Sequence, residues 1–282
     1  MPDVLIYEMG PRDGLQNEAA QITTADKIRL VDLLSEAGFA KIEVASFVSP
    51  KWVPQMADGA EVLGGISLKD GVAYAALTPN MKGYARAREA MVDEIAIFGS
   101  ASEGFSHSNL GRSREEALEM FRPIAEAARS DGQKMRGYVS CVTHCPFDGP
   151  TPPADVAQAV EQMIALGCYE VSLGDTIGKG TPKDTDAMLA AALEAAEATQ
   201  LAGHYHDTDG RALENIEVSL NRGLRTFDAA IGGLGGCPFA PGAKGNVATE
   251  AVADLAERLG YATGLDRARL EAAAAFANSL RS

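Results

Sequence analysis

Pro153 to Asp175 reads PADVAQAVEQMIALGCYEVSLGD, and it holds one full repeat of the pattern that decides the fold. Pro153–Leu166 is an Ala-rich amphipathic segment. Its opening proline suits the first helical turn, where no backbone N–H partner is lost. Gly167 follows where a helix wants a left-handed last residue. Tyr169–Leu173 is then a short β-branched apolar run, read as a buried strand, and Asp175 comes just after it.

The same alternation runs along the chain in both directions. Strands are predicted at Val4–Glu8, Lys41–Ala45, Val72–Leu77, Glu94–Phe98, Lys134–Cys141, Tyr169–Leu173, Ala202–His206 and Thr226–Ala230. Helices are predicted at Ala25–Ala37, Gln55–Leu63, Met81–Ala90, Ser113–Ser130, Pro153–Leu166, Pro182–Thr199, Ala212–Arg222 and Val247–Leu259. Ser113 with Glu116 is a capping-box pair. Strict alternation implies parallel strands joined by right-handed crossovers. Eight units close a (β/α)8 TIM barrel, which typically takes about 250 residues. The surplus fits one extra C-terminal helix, Asp266–Leu280, so residues 1–282 are expected to form a single barrel domain. An open doubly wound sheet would carry phosphate-binding glycines after its first strand, where this chain has MGPRDG instead.

The 25 basic and 39 acidic residues give a net charge of −14, which argues against a nucleic-acid partner. No apolar run is long enough to span a membrane. The N-terminus shows neither a signal-peptide core nor an Arg-rich transit segment, so the expected setting is cytoplasmic. Cys141, Cys145, Cys168 and Cys237 form no CxxC pair and are expected to be reduced. Cys141 and Cys168 read as buried thiols. Cys145 lies at a turn beside Pro146. Cys237 sits in IGGLGGCPFAPGAKGNVATE (231–250), a glycine-rich setting that suits a reactive thiol.

A barrel places its chemistry just past the strand ends, on the C-terminal face. Five polar clusters fall there: Arg12-Asp13, Glu43 with Ser46, Asp175-Thr176, His204 with His206, and the Cys237 loop. His204 and His206 are two apart and share a face in a strand. With Asp13 as the acid and Asn246 as an amide oxygen they make a mixed N/O set. Such a set suits Mg2+ or Mn2+, with non-haem iron and Zn2+ as weaker alternatives. Arg12, bracketed by Gly10, Pro11 and Gly14, can stabilise a developing oxyanion. Glu43 inside an apolar strand needs a cation, and Arg12 is the natural one.

Three segments, GPRDGLQNE (10–18), HYHDTDG (204–210) and the 231–250 loop, resemble the 3-hydroxy-3-methylglutaryl-CoA lyase family, the last almost letter for letter. The resemblance covers nearly all of the chain between them. It implies a metal enzyme that splits 3-hydroxy-3-methylglutaryl-CoA into acetyl-CoA and acetoacetate, as in leucine degradation. It implies one Mg2+ or Mn2+ on Asp13, His204, His206 and Asn246. The implied catalytic residues are Arg12, Glu43, Asp175 and Cys237. The implied substrate contacts are Arg12, Gln16, Ser46, Gly235 and Gly236, and a homo-oligomer, a dimer first, is implied as well. Against so acidic a chain, a CoA site is expected to be locally basic at the barrel mouth. Three departures from the family lie at the mouth: Asp209 replaces a tyrosine, His144 replaces a small residue, and Ser106–Arg112 lacks a lysine. They leave room for a different branched 3-hydroxyacyl-CoA.

Overall fold

A strand of alternating character has two different faces, and closing eight of them puts one face inside a barrel and the other under helices. A computed structural model describes residues 3–237 and 240–281, with backbone alone described within 236–244. The strands are β1 (Leu5–Glu8), β2 (Lys41–Ser46), β3 (Ala73–Leu77), β4 (Glu94–Ser100), β5 (Lys134–Ser140), β6 (Val171–Asp175), β7 (Leu201–Tyr205) and β8 (Thr226–Ala229). Each pairs in parallel with its sequence neighbours, and β1 pairs with β8 to close the ring. The expected (β/α)8 barrel is therefore present.

Ten α-helices lie among the described residues: α1 (Thr24–Ala37), α2 (Gly59–Gly65), α3 (Met81–Glu89), α4 (Glu103–Leu110), α5 (Arg114–Asp131), α6 (Pro153–Leu166), α7 (Pro182–Ala195), α8 (Ala212–Asn221), α9 (Thr249–Arg258) and α10 (Arg267–Ser279). α5 starts with the capping box expected at Ser113 and Glu116. α1 stops at Gly38, whose φ of +99° is left-handed. A β-carbon there would meet the Gly264 carbonyl at 2.9 Å, so the position needs glycine. α10 is the surplus helix, capped by Asp266, and it packs on α1.

The main apolar core lies between barrel and helices. Ile42, Ile95, Val171, Leu173 and Phe227 from the strands meet Leu30, Leu34, Phe121 and Leu189 from the helices, all fully buried. At roughly 1.5–3 kcal/mol per fully buried large side chain, this layer dominates the folding energy. The inside of the barrel is different. Tyr7, Met9, Ala75, Leu77, Ala96 and Tyr138 form a small second cluster there. Around them stand charged side chains with almost no exposure: Glu43, Glu94, Arg136 and Asp228. Branched aliphatic layers ordinarily fill this space.

Several expected boundaries move. β7 ends at Tyr205, so His206 lies one residue past the strand, in an isolated bridge with Asn246. Asp175 is the last residue of β6 rather than the first of the loop. The helix expected at Gln55–Leu63 divides into a 3-10 turn, Pro54–Met56, and α2. The Arg12 loop is a π-helical turn, Gly10–Gly14. Cys145 is fully inside, like Cys141 and Cys168.

Candidate active site and metal centre

The π-helical turn after β1 carries Arg12 and Asp13 into the barrel mouth. Its frame is set by Glu8, the last residue of β1. Glu8 accepts from Gly10 N at 2.7 Å, from Ile231 N at 2.9 Å and from Thr249 Oγ1 at 2.7 Å. One buried carboxyl thus ties the first active-site turn to the loop after β8 and to α9. Burial lifts its pKa to about 8, and the charge of Glu250 adds to the rise.

Arg12 is 6% exposed. Its Nε donates to Glu43 Oε1 at 2.9 Å and its Nη1 to Asp13 Oδ1 at 2.5 Å. Glu43 is the expected cation partner, and its second oxygen accepts from the Tyr138 hydroxyl. Burial works against the charged guanidinium, but Glu43 and Asp13 overcome it and hold Arg12 fully protonated.

Asp13, His204 and His206 converge, with one ligand atom from each lying within 4.8 Å of the others. The two imidazole Nε2 atoms are 3.3 Å apart, and His204 Nε2 is 4.0 Å from Asp13 Oδ2. Burial alone would raise Asp13, yet Arg12 and the two imidazoles bring it down to about 2, so it is ionised. Burial and the neighbouring His204 charge lower His206 to about 4, which keeps that ring neutral. Burial opposes a charge on His204 too, but Asp228 and Asp13 prevail and its pKa rises. One carboxylate and two imidazoles aimed at a common point fit a divalent cation by donor type. Asn246 joins them through Nδ2, which donates to Asp13 Oδ2 at 2.8 Å. To serve as a ligand its amide must turn and present Oδ1.

Other expected residues fall into two groups. Gln16 lines the mouth and donates to Asp13 Oδ1 at 3.1 Å. Gly235, at φ +102°, lies against Gly14 and donates its N–H to Glu18 at 3.0 Å. Gly236 and Cys237 form the first strand of a short antiparallel ribbon with Ala240–Lys244. The Cys237 side chain lies outside the described residues. Ser46 and Asp175, in contrast, are not brought to the cavity. Ser46 Oγ accepts from Val48 N at 3.3 Å and braces the turn after β2. Asp175 accepts from Thr143 Oγ1 at 2.6 Å and Gly180 N at 2.9 Å, which ties two loops together behind the wall. Its burial raises its pKa. The same alternation that turns Gly174 and Thr176 to the cavity turns Asp175 away.

The cavity above the cluster measures about 1270 Å3. Leu77, Phe98, Phe105, Leu110 and Met120 give it an apolar wall. Arg12 is the sole Arg or Lys among its described lining residues, so the expected basic collar is not found there. Ser106–Leu110 of the departing stretch form the second part of helix α4, which closes one side of the mouth.

The HMGL-like family model matches residues 3–276. A Pseudomonas aeruginosa protein named 3-hydroxy-3-isohexenylglutaryl-CoA/hydroxy-methylglutaryl-CoA lyase is 54% identical over 93% of this chain and 88% of its own. The mitochondrial hydroxymethylglutaryl-CoA lyase of Bos taurus is 51% identical over 97% of this chain and 84% of its own. The crystal structure of the HMG-CoA lyase from Brucella melitensis superposes with a TM-score of 0.98 at 58% identity, covering 100% of this chain and 99% of that one. An HMG-CoA lyase from Acinetobacter baumannii, solved with coenzyme A and 3-methylmalate, gives a TM-score of 0.93 at 37% identity over 99% and 91%.

Proposed function

The chain belongs to the HMGL-like family, and from that premise we infer that it is a carbon–carbon lyase cleaving 3-hydroxy-3-methylglutaryl-CoA to acetyl-CoA and acetoacetate. The observation that carries this reading is the convergence of Asp13, His204 and His206 beside a buried, fully charged Arg12.

Asp13, His204, His206 and Asn246 would hold one divalent cation, Mg2+ or Mn2+. When bound, it supplies Lewis acidity toward the tertiary hydroxyl and orients the substrate. Arg12, fixed by Glu43, faces the thioester oxygen and stabilises the enolate charge as the C2–C3 bond breaks. Cys237 then gives or relays a proton to the new carbanion carbon. The hydroxyl proton needs an acceptor. Asp13, held near pKa 2, is a poor base, and both oxygens of Asp175 are engaged behind the wall. We therefore assign that proton to a solvent molecule. Gln16, Gly235 and Gly236 border the substrate, whereas Ser46 and Asp175 brace loops.

No helix among the described residues is long and apolar enough to cross a membrane. A cytoplasmic setting and a homodimer belong to the same proposal. Fractionation of the host cell and sedimentation of the purified protein test these two points.

The deciding experiment supplies purified protein with 3-hydroxy-3-methylglutaryl-CoA, Mg2+ or Mn2+ in separate arms, and a thiol reductant, and measures acetoacetate. Metal-dependent release is expected, and none across both metals would sink the reading. The apolar wall and the substrate in the Pseudomonas aeruginosa relative's name favour a second substrate with a longer 3-substituent. A 3-hydroxy-3-isohexenylglutaryl-CoA arm belongs in the same assay.

A further inference from the structure

The barrel interior holds an ion cluster that the proposed chemistry does not use. Arg136 is fully buried in β5, and its ring of partners spans the barrel. Nη2 donates to Asp228 Oδ1 at 2.8 Å and Nη1 to Asp228 Oδ2 at 3.1 Å, a two-pronged clamp. Nε donates to Glu170 Oε1 at 2.7 Å, and Nη1 also reaches the Tyr138 hydroxyl at 3.0 Å. The guanidinium carbon lies 4.3 Å from the centre of the Tyr7 ring. Removing such ions from water costs several kcal/mol each, and a well-packed apolar interior is often no less stable. The cluster therefore calls for a role other than packing.

Asp228 shows where it is aimed. Its Oδ2 accepts from Arg136 Nη1, from Ser172 Oγ at 2.7 Å, and lies 3.1 Å from His204 Nδ1. An ionised carboxylate only accepts, so the hydrogen of that last contact belongs to Nδ1. A neutral ring with its hydrogen on Nδ1 has its lone pair on Nε2. That atom faces His206 Nε2 and Asp13.

We propose that Asp228, clamped by Arg136, is a positioning residue for His204: it accepts a hydrogen bond from Nδ1–H, locks the ring, and turns the Nε2 lone pair toward Asp13 and His206. A carboxylate in this place also raises the basicity of the ring it holds. The cluster continues from Tyr138 to Glu43 and on to Arg12. One hydrogen-bonded chain thus aligns both the proposed ligand and the proposed oxyanion donor.

The proposal rests on the reading of Asp13, His204 and His206 as metal ligands, and the test keeps the two apart. Mn2+ binding to purified full-length protein is titrated by the loss of the free-ion electron paramagnetic resonance signal. His204→Ala should abolish binding. Asp228→Asn should weaken it by about ten- to hundred-fold. Wild-type affinity in folded Asp228→Asn, alongside loss in His204→Ala, overturns the positioning role alone. Wild-type affinity in His204→Ala overturns the metal reading itself. The wild-type protein gives a measurement that needs no variant to fold. With 15N-labelled histidine and Mg2+ bound, the chain has four imidazoles to resolve. His204 should carry its hydrogen on Nδ1 and none on Nε2, and a hydrogen on Nε2 overturns the proposal.

Discussion

Arg12 Nε and Glu43 Oε1 meet at 2.9 Å beneath the barrel mouth, with the Tyr138 hydroxyl on the other Glu43 oxygen. This fixes the guanidinium before any substrate arrives, which is what transition-state stabilisation needs. Arg12→Gln should lower turnover by about two to three orders of magnitude while the Michaelis constant changes much less. Intact turnover with a large rise in the Michaelis constant would make Arg12 a binding residue instead.

Glu43 sits where a charge survives only if paired. Glu43→Gln leaves Arg12 with Asp13 alone, and breaking a buried pair costs about 3–5 kcal/mol of stability. Urea unfolding should show that loss, together with a fall in turnover that Mg2+ does not restore. Unchanged stability would mean that the Arg12–Glu43 contact contributes little.

Asp13→Ala should reduce Mn2+ affinity and acetoacetate release together, because one carboxylate serves both. Activity that survives this substitution and chelator treatment would remove Asp13 from the ligand set.

Cys237→Ser should keep the fold and Mn2+ binding and lose most turnover, since a hydroxyl is a far weaker acid than a thiol at neutral pH. Alkylation should inactivate the wild type, with bound substrate protecting it. Near-normal turnover in the serine variant would take Cys237 out of the mechanism.

Glu8 sets a pH dependence of stability. Its pKa is about 8 in the fold and 4.5 as the ordinary value. Between these the folded protein keeps a proton that the unfolded chain has released, so this group makes stability fall as pH rises through the window. Glu8→Gln imitates the neutral acid and still accepts from Gly10 and Ile231. The gap in unfolding free energy between wild type and Glu8→Gln should therefore shift in favour of the glutamine from about pH 5 to about pH 8. A gap that stays constant means that Glu8 does not hold its proton in the fold.

All eight strands and the closed barrel were legible in the sequence, because strand and helix signals alternate with clear stops such as Gly38 and Gly167. The convergence of Asp13, His204 and His206 also followed from their places at strand ends. Helix α4 was hidden, since SEGFSHSNLG resembles a polar mouth loop until Ser102 caps it by accepting from Phe105 N at 3.2 Å. Asp175 was read as the first loop residue, whereas it ends β6 with its carboxylate bonded to Thr143 and Gly180. Arg136 and Asp228 went unread for another reason. Each is a charge whose partner lies 92 residues away, in another strand. The available signal was the same as for Glu43: a charge on the inward alternation of an apolar strand.

The pairing of β1 with β8 has a consequence for how the protein comes into being. A ribosome that has delivered Asp13 has still to add 233 residues before Asn246 exists to meet it. The emerging N-terminal half carries Arg12, Asp13, Glu43 and Tyr138, but neither imidazole of the proposed centre. A product truncated before His204 lacks both proposed imidazole ligands. Contacts of such long separation form late. The proposed cation would therefore bind the completed ring rather than seed it, and supplying it during synthesis would favour only chains that have already closed.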